Sequence, residues 1–420
     1  MFAVATYQNL QLTQRGISMA ASEADSLPKA RPSQRLNRRK IASIIMAWMA
    51  LCWLIIGSVF YSVVPGGWLS ILGLMLLSYI PLLFVARSFG GPVAPSAHIR
   101  LWGFRPFWYS QLLLPLMAIG GLIGLIIGLP FHSSGLLGRG LAGGIGLLYL
   151  TGIGLAYFGS RRLAVRELTA NLPQLPNELA GLKIVQISDT HVGPHTSRRH
   201  LRNVVAAIEA AKPDLIVMTG DQVDDYVDDV EPFAAAFGQL SAPLGVVAIA
   251  GNHDVYAGWD GVRAGLEAMG IKVLVNQATA FNYRGVRWWL AGTGDPAGTY
   301  VAQGREIVAP DIPKTLADVP ANEFHVVLAH NPALWPALAQ RNVPLTLSGH
   351  THYGQFAIPK LGWSMASAFL EHAMGHYQLE QSLLYINPGT NYWGIPFRLG
   401  TKPEVTVITL QPSQTASIVG

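Results

Sequence analysis

The sequence has 420 residues, of which 50% are hydrophobic and 13% are charged, and its formal net charge is +5. This composition is too apolar for one ordinary soluble domain. The only cysteine, Cys52, excludes a disulfide framework and a thiolate metal site.

Four long apolar segments without charges lie in the first 160 residues. They span residues 41–64, 68–86, 112–129 and 141–159. A bilayer core of ~30 Å needs roughly 20 apolar residues of helix, and all four segments fit this length. Core helices rarely run this far without a charge, and a cleaved signal peptide would lie nearer the N-terminus. We therefore predict four transmembrane helices within residues 41–160.

Basic residues mark one side of these segments. They are Arg31, Arg35, Arg38, Arg39 and Lys40 before the first segment, Arg87, Arg100 and Arg105 between the second and third, and Arg161, Arg162 and Arg166 after the fourth. The two opposite loops carry only Arg139. The positive-inside rule predicts a multi-pass protein of the inner (cytoplasmic) membrane with both termini in the cytoplasm. Residues 1–40 are predicted to be a flexible basic cytoplasmic tail.

The charge changes sign along the chain. From residue 178 onward there are 15 Lys and Arg against 21 Asp and Glu, so the basic surplus belongs to the N-terminal part. That surplus suits contact with anionic headgroups and makes membrane lipids a predicted partner. The acidic balance of the C-terminal part argues against nucleic-acid binding.

A linker and a second domain follow the apolar segments. Residues 161–181, with Pro173 and Pro176, are predicted to be an extended connector. After it, short β-rich runs alternate with helical patterns, and the last runs are almost purely β. This order predicts an α/β domain over residues 182–420, built from two packed β-sheets flanked by helices.

Polar side chains follow five of the predicted strands directly. They are Asp189 and His191 after IVQIS, Asp221 and Asp224 after LIVMT, Asn252, His253 and Asp254 after VVAIA, His330 after HVVLA, and His350 and His352 after LTLS. In open α/β sheets, sites form in the crevice beyond the carboxyl ends of the strands. We therefore expect these side chains to converge on one crevice.

The available ligands suit two divalent cations. They comprise two carboxylates, one amide oxygen and four imidazoles, with no thiolate, which fits Mn, Fe, Zn or Co better than Ca or Mg. One Asp can bridge two ions ~3.5–4 Å apart, the spacing used for in-line displacement at phosphorus. A His beside such ions with a carboxylate partner and a pKa near neutrality is suited to general acid catalysis.

The series SDTH, GDQVDD, GNHD, LAHNP and SGHTHYGQ resembles the calcineurin-like metallophosphoesterases. The resemblance covers roughly residues 182–410. The C-terminal stretch YINPGTNYWGIPFRLGTKPEVTVITL and the membrane-anchored layout look like the YkuE-like bacterial branch of this family. That branch is similar to enzymes that hydrolyse the pyrophosphate of UDP-diacylglucosamine.

The resemblance implies a role for each motif residue. One metal would be held by Asp189, His191, Asp221 and His352, and the second by Asp221 as a bridge together with Asn252, His330 and His350. A metal-bridging water or hydroxide would be the nucleophile. His253 would protonate the leaving oxygen, and Asp224 would orient His253.

Tyr353 departs from the pattern of the branch, which usually has glycine after GHTH. Bulk and a hydroxyl group near the metals would change the shape of the substrate site, and we expect Tyr353 to line its entrance. Thr190, which replaces the usual Leu of the first motif, is a minor departure.

Together these features predict a membrane-anchored dinuclear-metal phosphoesterase. Its substrate would be a phosphomonoester, a phosphodiester or a pyrophosphate, with lipid-linked phosphates included. One alternative is a transporter or receptor whose C-terminal part only binds a ligand, although no charge lies within the four segments. A nuclease of the same fold is the other alternative, which the acidic balance disfavours.

The segment of residues 360–377 follows the last His motif and could guide a lipid substrate. On a helix, Trp363, Ala366, Phe369, Leu370 and Met374 would form one apolar face, which either packs on the core of the domain or enters the membrane interface. In the second case, an isolated domain of residues 178–420 should still cleave small soluble esters.

Overall fold

The computed structural model describes residues 38–88, 96–301 and 307–420. Residues 1–37 of the predicted flexible tail lie outside the described residues. Two parts follow in the chain. We call residues 38–159 the helical region and residues 160–420 the α/β domain.

The helical region contains four long helices among the residues described. They are α1 (Arg38–Phe60), α2 (Trp68–Ser88), α3 (Arg105–Gly128) and α4 (Ser134–Gly159). All four are long and apolar enough to cross a membrane, as the sequence predicted. Helices α3 and α4 begin before the apolar segments and include Arg105 and Arg139 near their N-termini. Pro115 lies inside α3 without ending it.

The helices pack through small residues on α3 and α4. A Cβ atom on Gly124 of α3 would lie 2.4 Å from the carbonyl oxygen of Leu137 on α4, so only glycine permits this approach. A small core that includes Met49, Leu82 and Phe107 joins α1, α2 and α3. At most 33% of each membrane-length window is buried, so most apolar side chains of the region face outward.

Among the described residues, the first sheet of the α/β domain has seven strands, in the order β15-β1-β14-β2-β3-β4-β5. Their bounds are β1 (Ala164–Leu172), β2 (Lys183–Ile187), β3 (Leu215–Met218), β4 (Val246–Ala248), β5 (Lys272–Val273), β14 (Glu404–Pro412) and β15 (Ser417–Val419). Strands β2 to β5 are parallel, whereas β14 runs antiparallel to β2. The carboxyl ends of the parallel strands β2 to β5 therefore lie at the same edge of the sheet.

The second sheet has six strands in the described part of the chain, in the order β12-β13-β9-β8-β7-β6. Their bounds are β6 (Gln277–Tyr283), β7 (Val286–Gly292), β8 (His325–Leu328), β9 (Leu345–Ser348), β12 (Gly375–Leu379) and β13 (Ser382–Ile386). Strands β7, β8, β9 and β13 are parallel. A hairpin of β10 (Ala357–Ile358) and β11 (Trp363–Ser364) stands apart.

The two sheets share one buried core, which includes Ile184 and Val217 from the first sheet and Trp288, Leu328 and Leu347 from the second. A second core lies between the first sheet and its helices. Among the described residues, the helices of the domain are α5 (Arg198–Ala211), α6 (Val230–Phe237), α7 (Asn252–Ala268) and α8 (Trp335–Ala339), with a single turn at Ile312–Thr315. Another single turn, Ala97–Ile99, lies in the helical region. Two packed sheets flanked by helices agree with the prediction.

The linker predicted over residues 161–181 is largely a strand instead. Strand β1 pairs along nine residues with β14, and it buries Leu168, Ala170 and Leu172. The sequence did not reveal this strand, because Arg166 and Glu167 interrupt the alternation of apolar and polar residues in its exposed half. Only residues 160–163 separate α4 from β1.

The segment of residues 360–377 is not a helix. It forms the 3-10 turns Pro359–Leu361 and Met365–Ala368, the strand β11, and part of β12. Gly362, with φ of 62°, ends the first turn and prevents one continuous helix. Its apolar residues therefore do not share one helical face.

A fragment of residues 178–420 lacks β1, whereas a fragment of residues 162–420 retains it. Burial of the Leu168 and Leu172 side chains contributes roughly 1.5–3 kcal/mol each, a large part of the roughly 5–15 kcal/mol that stabilises a domain. We expect the shorter fragment to unfold at much lower urea concentration and to aggregate. Circular dichroism with urea and size-exclusion chromatography would measure this, and equal midpoints for both fragments would contradict it.

Candidate metal centre

The loops after β2, β3, β4, β8 and β9 bring the predicted metal ligands together at one edge of the two sheets. Five of the seven ligands have a left-handed backbone: Asp189 (φ 51°), His191 (φ 39°), Asp221 (φ 54°), His350 (φ 69°) and His352 (φ 49°). Non-glycine residues rarely adopt this conformation, and such strain collects at functional sites. The left-handed residues lie in the loops after β2, β3 and β9, where the chain turns and directs these side chains into the crevice.

A first group of donors comprises Asp189, His191 and His352, all buried. The Nε2 atoms of His191 and His352 are 3.0 Å apart, and Nε2 of His352 lies 3.3 Å from Oδ1 of Asp189. The backbone N–H of His350 donates to both carboxylate oxygens of Asp189, which fixes that side chain.

A second group comprises Asp221, His330 and His350, with Asn252 beside them. Oδ1 of Asn252 lies 2.8 Å from Nδ1 of His350 and 3.2 Å from Nε2 of His330. Oδ2 of Asp221 lies 3.3 Å from Nε2 of His330 and 3.6 Å from Nε2 of His191. Asp221 therefore stands between the two groups, where a bridging ligand is needed.

These donors fit two divalent ions. Ligands about 2.1 Å from a shared ion lie about 3.0–3.4 Å from each other, which is the spacing found in both groups. Nδ1 of His330 donates to the carbonyl oxygen of Thr219, 2.7 Å away, and Nε2 on the other side of the ring faces Asp221, where its lone pair would bind an ion. Fixing the tautomer through the second ring nitrogen is typical of histidines that bind metals.

Asp254 supports this arrangement, although the sequence predicted only its place at the crevice and no role for it. It is fully buried, and its carboxylate accepts hydrogen bonds from the backbone N–H groups of Asp221, Gln222, Val223 and Gly251 at 2.8–3.2 Å. Asp254 thereby ties the loop after β3 to the loop after β4. Its place directly after Asn252 and His253 was the only signal for it in the sequence.

Burial dominates the ionisation of Asp189 and His350 in the absence of metal, whereas the attraction between Asp221 and His330 lowers the pKa of Asp221 and raises that of His330. Burial raises the pKa of Asp189 to about 6 and lowers the pKa of His350 to about 3. Both shifts disfavour the charged form of an isolated group in a dry site. A bound cation would favour ionised carboxylates and neutral imidazoles, which are the forms that bind metals.

His253 lies beside the first group, with its ring centroid 4.7 Å from that of His191. Its Nδ1 donates to the backbone carbonyl oxygen of Asp224 at 2.6 Å and lies 3.0 Å from Oδ1 of Asp225. Burial lowers the pKa of His253, but Asp221 and Asp225 raise it, and the result is a pKa of about 10.

The carboxylate that orients His253 is therefore that of Asp225, not of Asp224 as predicted. Asp224 contributes its backbone oxygen to His253, while Oδ1 of its carboxylate lies 3.6 Å from Nδ1 of His191. Oδ2 of Asp224 accepts a hydrogen bond from Nη1 of Arg100 at 2.7 Å. Arg100 lies in a π-helical turn, Arg100–Phe104, directly before α3. A residue of the helical region thus reaches the edge of the candidate metal centre.

Arg398 is a second link that the sequence did not reveal. Its side chain is 1% exposed, and its guanidinium group donates to the carbonyl oxygen of His352 and contacts Nδ1 of the same residue, both at 2.8 Å. Its backbone N–H donates to the carbonyl oxygen of Ala156 in α4 at 3.0 Å. One residue therefore joins a predicted metal ligand to a membrane-length helix.

Tyr353 does not line the entrance of the crevice, contrary to the prediction. It is 5% exposed, its hydroxyl group donates to the carbonyl oxygen of Ile386 at 2.7 Å, and it accepts from the N–H of Gly375 at 2.9 Å. The aromatic ring turns into the small core beside Trp335 because apolar contacts and two hydrogen bonds are available there. Tyr353 therefore ties the loop after β9 to β13.

Three comparisons identify relatives of the chain. A family model described as calcineurin-like phosphoesterase matches residues 182–354. The chain is 36% identical over 249 residues to a transmembrane protein with a metallophosphoesterase domain from Danio rerio, and the match covers 57% of this chain and 55% of the relative. It is 30% identical over 282 residues to an uncharacterized metallophosphoesterase, YkuE, from Bacillus subtilis, with 65% of this chain and 96% of the relative covered.

The length of these matches differs between relatives. The chain spans 55% of the length of the Danio rerio protein, whereas it covers nearly all of the Bacillus subtilis one. The family match includes the strand ends that carry the clustered carboxylates and imidazoles. The chain belongs to the calcineurin-like metallophosphoesterases, a family of phosphoester hydrolases that bind two divalent metals.

Proposed function

We propose that the protein is a membrane-anchored phosphoesterase that uses two divalent metal ions, with Mn, Fe or Zn as the candidates. The observation that carries this proposal is the position of Asp221 between two groups of buried oxygen and nitrogen donors. Asp189, His191 and His352 would hold one ion with Asp221, and Asn252, His330 and His350 would hold the other. Two such ions would polarise the phosphoryl oxygens and supply a water of lowered pKa.

The proposed role of His253 is to protonate the leaving oxygen. Its Nδ1–H is held by the carbonyl oxygen of Asp224 and the carboxylate of Asp225, which leaves Nε2 on the opposite side of the ring. Bound cations would offset the charge of Asp221 and lower the pKa of His253 from its high value toward neutrality. An imidazolium of near-neutral pKa is an effective proton donor.

The proposed substrate is a phosphate ester linked to a lipid. The support for it is the loop of residues 391–398, which contacts both the crevice and the helical region. The ring centroid of Trp393 lies 5.8 Å from that of His253. In the same loop, the carbonyl oxygen of Pro396 accepts a hydrogen bond from the hydroxyl group of Tyr109 in α3 at 3.2 Å. The crevice is thereby held close to one end of α3.

Exposed apolar side chains near the crevice support the same substrate class. Ile358, Leu361, Trp363, Met365 and Phe369 are all exposed, with Leu361 at 75%. Their segment packs against the loop after β9, since a Cβ atom on Gly354 would lie 2.6 Å from the Cβ of Met365. A cluster of this kind suits insertion into the interface of a bilayer.

The proposed location is the inner membrane, with the α/β domain in the cytoplasm. Arg100, before α3, and Arg398, beside the end of α4, both connect the helical region to the α/β domain. The ends of α3 and α4 that carry the basic residues therefore lie on the side of that domain. The positive-inside rule assigns this side to the cytoplasm.

Asp221→Ala is expected to abolish hydrolysis of p-nitrophenyl phosphate and bis-p-nitrophenyl phosphate and to lower the metal content, because it removes the shared ligand of both ions. Activity assays and elemental analysis of the purified full chain would measure both effects. Asp228→Ala, at an exposed carboxylate further along the same loop, is the control and should change neither. Near-normal turnover of Asp221→Ala would refute the two-metal assignment.

His253→Ala is expected to lose roughly 10²–10⁴-fold in turnover, the scale of a lost general acid, with little loss of metal. The loss should shrink for esters with good leaving groups, which need no proton. Asp225→Asn should give a smaller loss, since the Asp224 carbonyl oxygen still orients the ring. If His253→Ala lost as much metal as His350→Ala, His253 would be a ligand instead.

Trp363→Ala combined with Phe369→Ala is expected to reduce hydrolysis of a lipid-linked phosphate ester in vesicles, on the order of tenfold, because apolar area is lost from the membrane-facing cluster. Hydrolysis of p-nitrophenyl phosphate should be unchanged. Leu379→Ala is the control, since its 47% exposure matches the 48% of Phe369 and it lies at the opposite end of the second sheet. Equal losses on both substrates would argue for a structural role.

The orientation proposal predicts that alkaline phosphatase fused after Gly420 is inactive, because that enzyme requires export. Protease added to intact cells should leave the α/β domain uncut, and it should be cut after the cells are opened. An active fusion would mean that the α/β domain faces the other compartment.

A further inference from the structure

A cavity of about 320 Å³ lies between the helical region and the α/β domain. Its walls come from the adjoining ends of α3 and α4, the start of α5, and the loop of residues 391–398. Among the described residues that line it, none is a predicted metal ligand, and His253 is not present either. The cavity therefore lies beside the candidate metal centre, and its lining includes none of the proposed ligands.

The charge of the cavity is positive. Arg105, Arg161 and Arg199 line it, and no Asp or Glu does so among the residues that the structure describes. Arg105 donates to the hydroxyl group of Tyr392 at 3.2 Å, and Arg161 lies over the ring of Tyr157. These partners are neutral, so the cavity lining itself offers no counter-charge.

The start of α5 adds to this positive character. Ser197 is the N-cap of this 14-residue helix, and its side chain makes no capping hydrogen bond. The N–H groups of the first turn and the positive end of the helix dipole therefore face the side of the cavity that Ser197, Arg199 and His200 line.

A buried donor without an acceptor also lines the cavity. The side chain of His195 is 2% exposed, and its Nε2 has no hydrogen-bond partner. Its Nδ1 lies 3.0 Å from Nη1 of Arg100. A guanidinium group can only donate, so Nδ1 accepts and the proton of the neutral ring is on Nε2. A buried N–H without an acceptor is costly, so an acceptor is expected in the cavity.

We infer that this cavity is a second binding site, for a phosphate group carried by a membrane lipid or present as free phosphate. The oxygens of a phosphate accept hydrogen bonds from guanidinium groups, from N–H groups at a helix start and from an imidazole N–H, all of which are present here. The position of Arg105 and Arg161 at helix ends places the site at the level of lipid headgroups. The site does not depend on which ester is hydrolysed at the metals.

Calorimetric titration of the full-length, Mn-loaded protein in detergent with inorganic phosphate tests the site. The variant Arg161→Gln with Arg199→Gln should lose one binding step or weaken it about tenfold or more, because charge-assisted hydrogen bonds are lost. The matched control is Arg162→Gln with Arg198→Gln, which removes the same charge from neighbouring residues outside the cavity. Identical titrations of the wild type and the first variant, or equal weakening in both variants, would overturn the inference.

Nanodiscs distinguish the two sources of phosphate. In phosphatidylcholine alone, the binding step sensitive to Arg161 and Arg199 should be present. If a lipid phosphate occupies the cavity, adding phosphatidic acid to the nanodiscs should suppress that step. If free phosphate is the ligand, the step should persist in both lipid compositions. Absence of the step in phosphatidylcholine nanodiscs as well as in detergent would exclude the site.

Discussion

Burying Asp189 and Asp221 removes two carboxylates from water, which costs several kcal/mol for each ion unless compensation is provided. The structure provides part of it through the backbone N–H groups of His350 and His253, which donate to these carboxylates. The remaining compensation requires positive charge in the same crevice. Two packed sheets supply the rigid edge at which three loops, with five left-handed residues among them, and the loops after β4 and β8 hold the donors. The fold is thus arranged around a site that favours bound cations.

The candidate ligands could be predicted from the sequence because each one directly follows an apolar strand. For such residues, the parallel order of strands is enough to bring side chains together at one edge, whatever the details of the loops. The four long helices could be predicted equally well, since length and lack of charge decide whether a helix can cross a bilayer. In both cases a local pattern carries the information, and no contact between distant residues needs to be known.

The features that the sequence did not reveal depend on geometry or on distant contacts. Asp224 and Asp225 are adjacent in the chain, and the backbone conformation of the turn decides which of the two carboxylates contacts the ring of His253. Strand β1 forms because its partner β14, more than 200 residues away in the chain, presents a matching edge. Arg100 and Arg398 are 124 and 46 residues from the side chains that they contact. Residue composition and motif spacing do not reveal such contacts between residues that are distant in the chain.

These long-range contacts indicate that the helical region also fixes the position of the α/β domain. A flexible tether would let the α/β domain move freely beneath the bilayer, but only residues 160–163 separate α4 from β1. Arg398 then bonds through its backbone to Ala156 and through its side chain to His352. A displacement of α4 relative to the sheets would break hydrogen bonds that position a proposed metal ligand. The crevice is therefore held at a defined position relative to α4, which supports the proposal of a lipid-linked substrate.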